Sequence, residues 1–167
     1  MKSFDSLREA LAEYLQAAGL DAVTAWNAGA RVRRKAPVIA VTLRGVKGGP
    51  SGLWDYLGER FDRETGQWVE LYGKRAKITL GLDIYAPECA GEAGCAAAFA
   101  KLSEALAGGR PAGLDVSELS CGETAFDRDT GLFRCPAQMT CQVFLYARQT
   151  EDGVFTDFEV RRIQNDH

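Results

Sequence analysis

Two six-residue stretches of this sequence place carboxylates close together in nearly the same order, FDRETG at 61–66 and FDRDTG at 126–131. Acidic side chains two residues apart beside a glycine resemble the start of a calcium loop. Such a loop also needs its glycine at the sixth position and a bidentate glutamate at the twelfth. Here Gly66 and Gly131 come one position early and neither stretch has the closing glutamate, so the spacing does not predict a metal site. A hairpin tip explains every residue instead. Asp62 and Asp127 can accept hydrogen bonds from the backbone two residues on, Gly66 and Gly131 can take positive φ, and Phe61 with Trp68 and Phe126 with Phe133 flank the two turns.

Other chemistry has little to work with. The only histidine is His167, the last residue, which excludes Cys-His and Ser-His arrangements within a fold. Neither RGVKGGPSG nor GKRAKITLG fits a phosphate loop or a dinucleotide turn. Cys89/Cys95 and Cys135/Cys141 share a C-x5-C spacing, but six residues along a strand span roughly 20 Å, too far for one metal ion. With Cys121 they make five cysteines, an odd number in a chain of this size, and they are read as reduced thiols. A small hydrolase would have to use Cys121 or a carboxylate pair, and nothing among the 23 acids singles one out. No catalytic residue, cofactor or metal is therefore expected.

Two clusters suggest surfaces. Arg31, Arg33, Arg34 and Lys35 precede an apolar strand and read either as a contact for phosphate or an acidic partner surface, or as a solvated strand end, the second being favoured. Trp54, Tyr56, Phe61, Trp68 and Tyr72 crowd around the first turn. A hairpin of that length leaves some of them outside the core unless something covers them, which reads equally as a candidate subunit interface with Trp54, Tyr56 and Trp68 as its contacts or as cross-strand packing within the monomer.

The elements that would position these clusters follow from periodicity. Phe4, Leu7, Leu11, Tyr14, Leu15 and Ala18 form one helical stripe that Ser3 can cap and Gly19 can end. Cys95, Phe99, Leu102 and Leu106 form a second, stopped by GGRPAG. KITLGLDIY and QMTCQVFLYA alternate as half-buried strands, PVIAVTL, QWVELYG and VFTDFEVRRI also read as strands, and Ala22 to Trp26 is a shorter one. Strands in runs joined by short turns predict an α+β fold: a largely antiparallel sheet, two amphipathic helices packed against it, and two β-hairpins. One domain over 1–167 is expected, with a mobile loop at 45–52.

The chain is 46% hydrophobic and 26% charged, ordinary for a folded domain, and its net charge of -3 does not suit a general nucleic-acid binder. Residues 1–83 hold 13 basic against 10 acidic side chains and residues 84–167 hold 7 against 13, a split that suits head-to-tail association of like subunits. No apolar run is long enough to span a bilayer, and a cytoplasmic location is expected.

The arrangement as a whole resembles the tail terminator, or tail completion, proteins of long-tailed bacteriophages and prophages. The similarity lies in the opening helix, the strand at APVIAVTLRG, the passage ELYGKRAKITLGLDIYAP leading into AAAFAKLSEAL, then LSCGETAFDRDTGLFRCPAQMTCQVFLYA and the closing FTDFEVRRI. The resemblance implies a small structural protein that assembles as a homo-oligomeric ring, a hexamer, on the finished tail tube. Such a ring stops polymerisation and offers the surface for head joining. Its partners would be itself, tail-tube subunits and head-tail connector proteins, with no membrane and no nucleic acid except a molecule passing through the ring lumen. It would reside in the host bacterial cytoplasm during assembly and then in the virion tail. Another head-tail connector or a tail-tube component is the nearest alternative.

Overall fold

The computed structural model describes residues 4–25, 35–50, 55–64, 66–149 and 155–161. Ser3, Arg31, Arg33, Arg34 and Trp54 lie outside the described residues.

The fold is α+β. Helix α1 (Phe4–Ala17) buries Leu7, Leu11, Ala12 and Leu15, the stripe its spacing predicts. It ends where the Leu20 N–H donates to the Leu15 carbonyl at 3.0 Å and the Gly19 N–H to the Gln16 carbonyl at 2.9 Å. This pair of bonds needs a left-handed residue between them, which Gly19 supplies at φ +82°. Helix α2 (Gly91–Ala107) buries Cys95, Ala98, Leu102 and Leu106. The Tyr14 hydroxyl of α1 donates to the Ala105 carbonyl of α2 at 2.8 Å, tying the helices together at one end.

The described strands form one sheet: β1 (Ala22–Val23), β2 (Val38–Pro50), β3 (Tyr56–Asp62), β4 (Gln67–Pro87), β5 (Asp115–Cys121), β6 (Ala125–Asp127), β7 (Leu132–Cys135), β8 (Ala137–Gln149) and β9 (Phe155–Arg161). Their pairings are antiparallel except that of β1 with β2. The long β4 is the spine. One of its edges pairs with β2 and then β3, the other with β7 and then β8. Ile78, Leu80, Leu82 and Ile84 are fully buried on the helix-facing side, joined there by Met139, Cys141 and Val143 from β8.

Two sequence expectations are corrected here. The glycine-rich stretch expected to be a mobile loop at 45–52 is strand over residues 45–50, where Gly45 to Pro50 pair with Thr79 to Lys74. Glycine and proline weaken a strand, but a fully formed neighbour supplies the missing order. Secondly, QWVELYG and KITLGLDIY belong to one strand of 21 residues, because the link Lys74-Arg75-Ala76 is held by β8 through Leu145, Phe144 and Val143.

The strand order contains a repeat. β7 and β8 keep one register against β4 across Pro136, from Leu132↔Pro87 to Ala147↔Tyr72, so they act as one strand interrupted where proline lacks an N–H. β5 and β6 run alongside, with their register shifted by one residue between them. The protein is thus two long hairpins, β2/β3 with β4 and β5/β6 with β7/β8, each ending in its copy of the FDR(E/D)TG turn. The two copies are 65 residues apart, and Lys77 and Gln142, 65 residues apart, face each other across the β4–β8 ladder. Repeat and register therefore centre on the same pair, which sends the two tips to opposite ends of the sheet.

The thiols divide by environment. Cys95, Cys135 and Cys141 are buried, and Cys89 and Cys121 are exposed, all five free. Burial raises the first two thiols and pushes Cys141 up to about 11. A neutral thiol favoured by the fold contributes stability in full below its unfolded value, and that contribution fades as the pH climbs toward 11. Native protein at pH 8 is expected to release two equivalents of chromophore rapidly from an aromatic disulfide reagent, and five in denaturant. A third fast thiol would show that one of the buried sites opens readily, at Cys95 on α2, Cys135 on β7 or Cys141 on β8.

Candidate interaction surface

Both turns form as the sequence predicts. The Asp62 carboxylate accepts from the Glu64 N–H at 2.9 Å and the Asp127 carboxylate from the Asp129 N–H at 3.0 Å. Gly66 and Gly131 close back on the carbonyls of Asp62 and Asp127 at 2.8 Å with φ of +67° and +68°. Thr130 adds a hydroxyl bond to Asp127 at 2.9 Å, and this bond with the Asp129 N–H holds the Asp127 carboxyl below its usual range. These carboxylates are spent on turning the chain. Among the described residues no group of three or more His, Cys, Asp or Glu side chains is arranged to hold a metal ion.

The tips differ in what lies behind them. The second is short, and α2 reaches its strand: the Cys95 thiol lies 3.7 Å from the Phe133 carbonyl. The first crowns an arm. From Tyr56 to Arg75 no described residue is buried; β8 accompanies β4 as far as Tyr72, and beyond it Gln67 to Leu71 continue with β3 as a two-stranded ribbon among the described strands. At its base the ladder is interrupted: Pro50 pairs with Lys74 and Tyr56 with Tyr72, pairings six residues apart on one side and two on the other. Lys74 and Asp55 form an ion pair at 2.8 Å across that discontinuity.

Opposed residues on antiparallel strands share a face. One face of the arm carries three successive cross-strand pairs, Phe61 with Trp68 nearest the tip, Glu59 with Glu70, and Tyr56 with Tyr72. The outer and inner pairs meet edge to face, with ring centroids 5.5 Å and 5.7 Å apart. Trp68 is 67% exposed, Phe61 45% and Tyr56 41%, and Val69 on the opposite face is 43% exposed. Between the rings two like-charged carboxylates stand directly opposite each other, an unfavourable pairing for an isolated ribbon. The Tyr72 hydroxyl donates to Glu70 at 2.6 Å, and this bond raises its pKa; desolvation and then the Glu59 and Glu70 charges raise that of Tyr56.

Of the contact residues expected from sequence, Tyr56 and Trp68 lie together on this face, and Lys35 is exposed just before β2, at the far end of the sheet. Comparison with protein-family models and with curated proteins finds no match to either. The arm therefore has to be understood from its own chemistry. Glu59 and Glu70 were missed in the sequence, yet a count outward from the turn finds them. Phe61 with Trp68, then Glu59 with Glu70, sit symmetrically about Glu64-Thr65.

A second polar group covers the sheet face turned away from the helices. Asp83, 7% exposed, accepts from Arg44 through Oδ1 and from Arg134 through Oδ2, the latter at 3.0 Å. Arg44 is the extra residue of a β-bulge between Leu43 and Gly45, which turns its side chain toward β4. Gly81 makes room, since a Cβ there would stand 2.6 Å from the Arg44 Nε and 2.5 Å from the Thr42 hydroxyl. The Arg134 guanidinium also lies 6.0 Å over the Tyr85 ring. This network ties β2, β4 and β7 together and occupies its only carboxylate with two cations, the pattern of a structural clamp. Among the described residues no helix is long and apolar enough to cross a membrane.

Proposed function

We propose that this protein is a structural component of a phage or prophage tail, a terminator that self-associates into a ring, caps the tail tube and offers the surface for head joining. The observation that carries this reading is the arm. A ribbon with no buried residue among those described, three aromatic rings more than two-fifths exposed and, beyond Tyr72, both outer edges unpaired among the described strands has no packing reason to extend from a monomer. Its geometry suits docking onto another protein. The α+β core, with helices on one face of a largely antiparallel sheet, agrees with what the sequence resemblance implies. A hexamer would be the expected ring.

Size-exclusion chromatography with light scattering, followed by negative-stain electron microscopy, tests this directly. Rings, alone or on tail-tube ends, are the expected result, together with shortened tubes when the protein is added to polymerising tube subunits. Long tubes made of this protein itself would move it to the tube-component reading. A monomer at every concentration that also fails to bind tail-tube protein would remove the proposal.

A further inference from the structure

We infer that Cys121 is a modification site for low-molecular-weight disulfides, and that Cys135 beside it converts the adduct into an intramolecular disulfide. Both thiols are free, Cys121 exposed and Cys135 buried. Cys121 pairs with Ala137 across the β5–β8 ladder, and the next N–H, that of Gly122, donates to the Pro136 carbonyl at 2.8 Å. Cys121 and Ala137 are therefore a non-hydrogen-bonded pair, the kind whose side chains approach most closely. Because β7 and β8 keep one register against β4, Cys135 opposite Ile84 faces the same way as Ala137 two residues on. Cys121 thus lies diagonally across from Cys135 on the helix-facing side of the sheet. Diagonal neighbours on a regular ladder stand about 7 Å apart, too far for a disulfide. The register shift alters that spacing: four steps from Cys121 to Ala125 answer three from Ala137 to Arg134, and a bulge of this kind bends its strand and adds twist. The Cys135 Sγ comes to 3.8 Å from the Gly122 carbonyl, and the Cys121 and Cys135 thiols are in hydrogen-bond contact.

Exposure sets the order of events. The Cys121 thiolate attacks one sulfur of oxidised glutathione, forming a mixed disulfide and expelling a glutathione thiolate. The Cys135 thiolate then attacks the Cys121 sulfur, forming the Cys121–Cys135 bond and expelling the second glutathione. Two protein thiols give up two protons and two electrons, and the small disulfide is reduced to two thiols. Burial raises the Cys135 thiol, so few molecules hold its thiolate at neutral pH and the second step is the slow one. Cys95 approaches Cys135 from α2, but it is buried, so the oxidant meets Cys121 first. The bond encloses residues 122–134 and with them the whole second turn. That tip becomes a covalent loop whose closure follows the redox poise of its surroundings, and the oxidised form is expected to melt at a higher temperature than the reduced one.

The test is to incubate native protein with oxidised glutathione, quench it in acid and map its peptides by mass spectrometry. A disulfide joining the Cys121 and Cys135 peptides is expected, and dithiothreitol is expected to reverse it. With the aromatic disulfide reagent the same step releases a further equivalent of chromophore after the two rapid ones, at least about tenfold more slowly. Cys121→Ser, an exposed substitution, is expected to lose this slow equivalent together with one rapid one. Cys135→Ala is expected to keep both rapid equivalents, lose the slow one and leave the glutathione adduct standing on Cys121. If the buried Cys135→Ala substitution prevents folding, Cys121→Ser and the wild-type map decide. Glutathione retained on Cys121 while Cys135 stays reduced would overturn the inference, as would a bond from Cys135 to Cys95. A slow equivalent that survives in Cys121→Ser would do the same, since it would come from a buried thiol opening without any adduct to resolve.

Discussion

Replacing Asp83 with alanine is expected to lower unfolding stability by about 2 to 4 kcal/mol, far more than removing either arginine that contacts it. The asymmetry follows from geometry. Asp83 is 7% exposed and each of its oxygens receives one guanidinium, from Arg44 and from Arg134. Without the carboxylate, two like charges are left converging on one point of the sheet, partly out of water. Without Arg44 or Arg134, the carboxylate keeps the other cation, and the loss is a single partly exposed pair of about 1 kcal/mol or less. The arginine side chains are 31% and 44% exposed, which holds the Asp83 figure below the penalty for a fully buried ion. Gly81→Val should produce a milder form of the same defect by pushing Arg44 aside. Urea unfolding of the three single variants decides the matter. An Arg44→Ala loss equal to that of Asp83→Ala would show that the network does not centre on the carboxylate.

The difference between this clamp and the arm also shows what the sequence discloses. Alternation in KITLGLDIY marks Ile78, Leu80, Leu82 and Ile84 as one face because their burial follows from chain-local geometry, and all four are fully buried. The helices are legible for the same reason. The turns are legible down to their hydrogen bonds, since an Asx contact spans two residues and a positive φ calls for glycine. Arg44, Asp83 and Arg134 come from three separate strands, and only the sheet register brings them together, so no local pattern announces them. The strand at 45–50 was hidden for a related reason: its glycines signal a loop, and the partner that overrides them lies some thirty residues away. The arm stands between these cases. Its aromatics are conspicuous, its acidic pair can be counted from the tip, and that neither described helix covers it appears only once the helices are placed over the other end of the sheet.

That separation of arm from core predicts a variant that folds normally and assembles poorly. Phe61→Ser with Trp68→Ser removes the outermost ring pair, 45% and 67% exposed, from a ribbon that contributes nothing to the buried cluster. Unfolding stability is expected to stay within about 1 kcal/mol of wild type, because within the monomer the two rings pack edge to face on each other and cover no core residue. Self-association is expected to weaken at least about thirtyfold, since an exposed tryptophan that becomes covered at an interface is the kind of residue that dominates binding energy. Ile78→Ala, by contrast, leaves the arm untouched and empties a fully buried site beneath the helices, costing about 3 kcal/mol in stability. Measuring melting and association on both variants crosses the two properties. If the arm substitutions lowered stability as much as Ile78→Ala while association held, the arm would belong to the fold of the monomer, and the surface that joins subunits would have to be sought on the opposite end of the sheet.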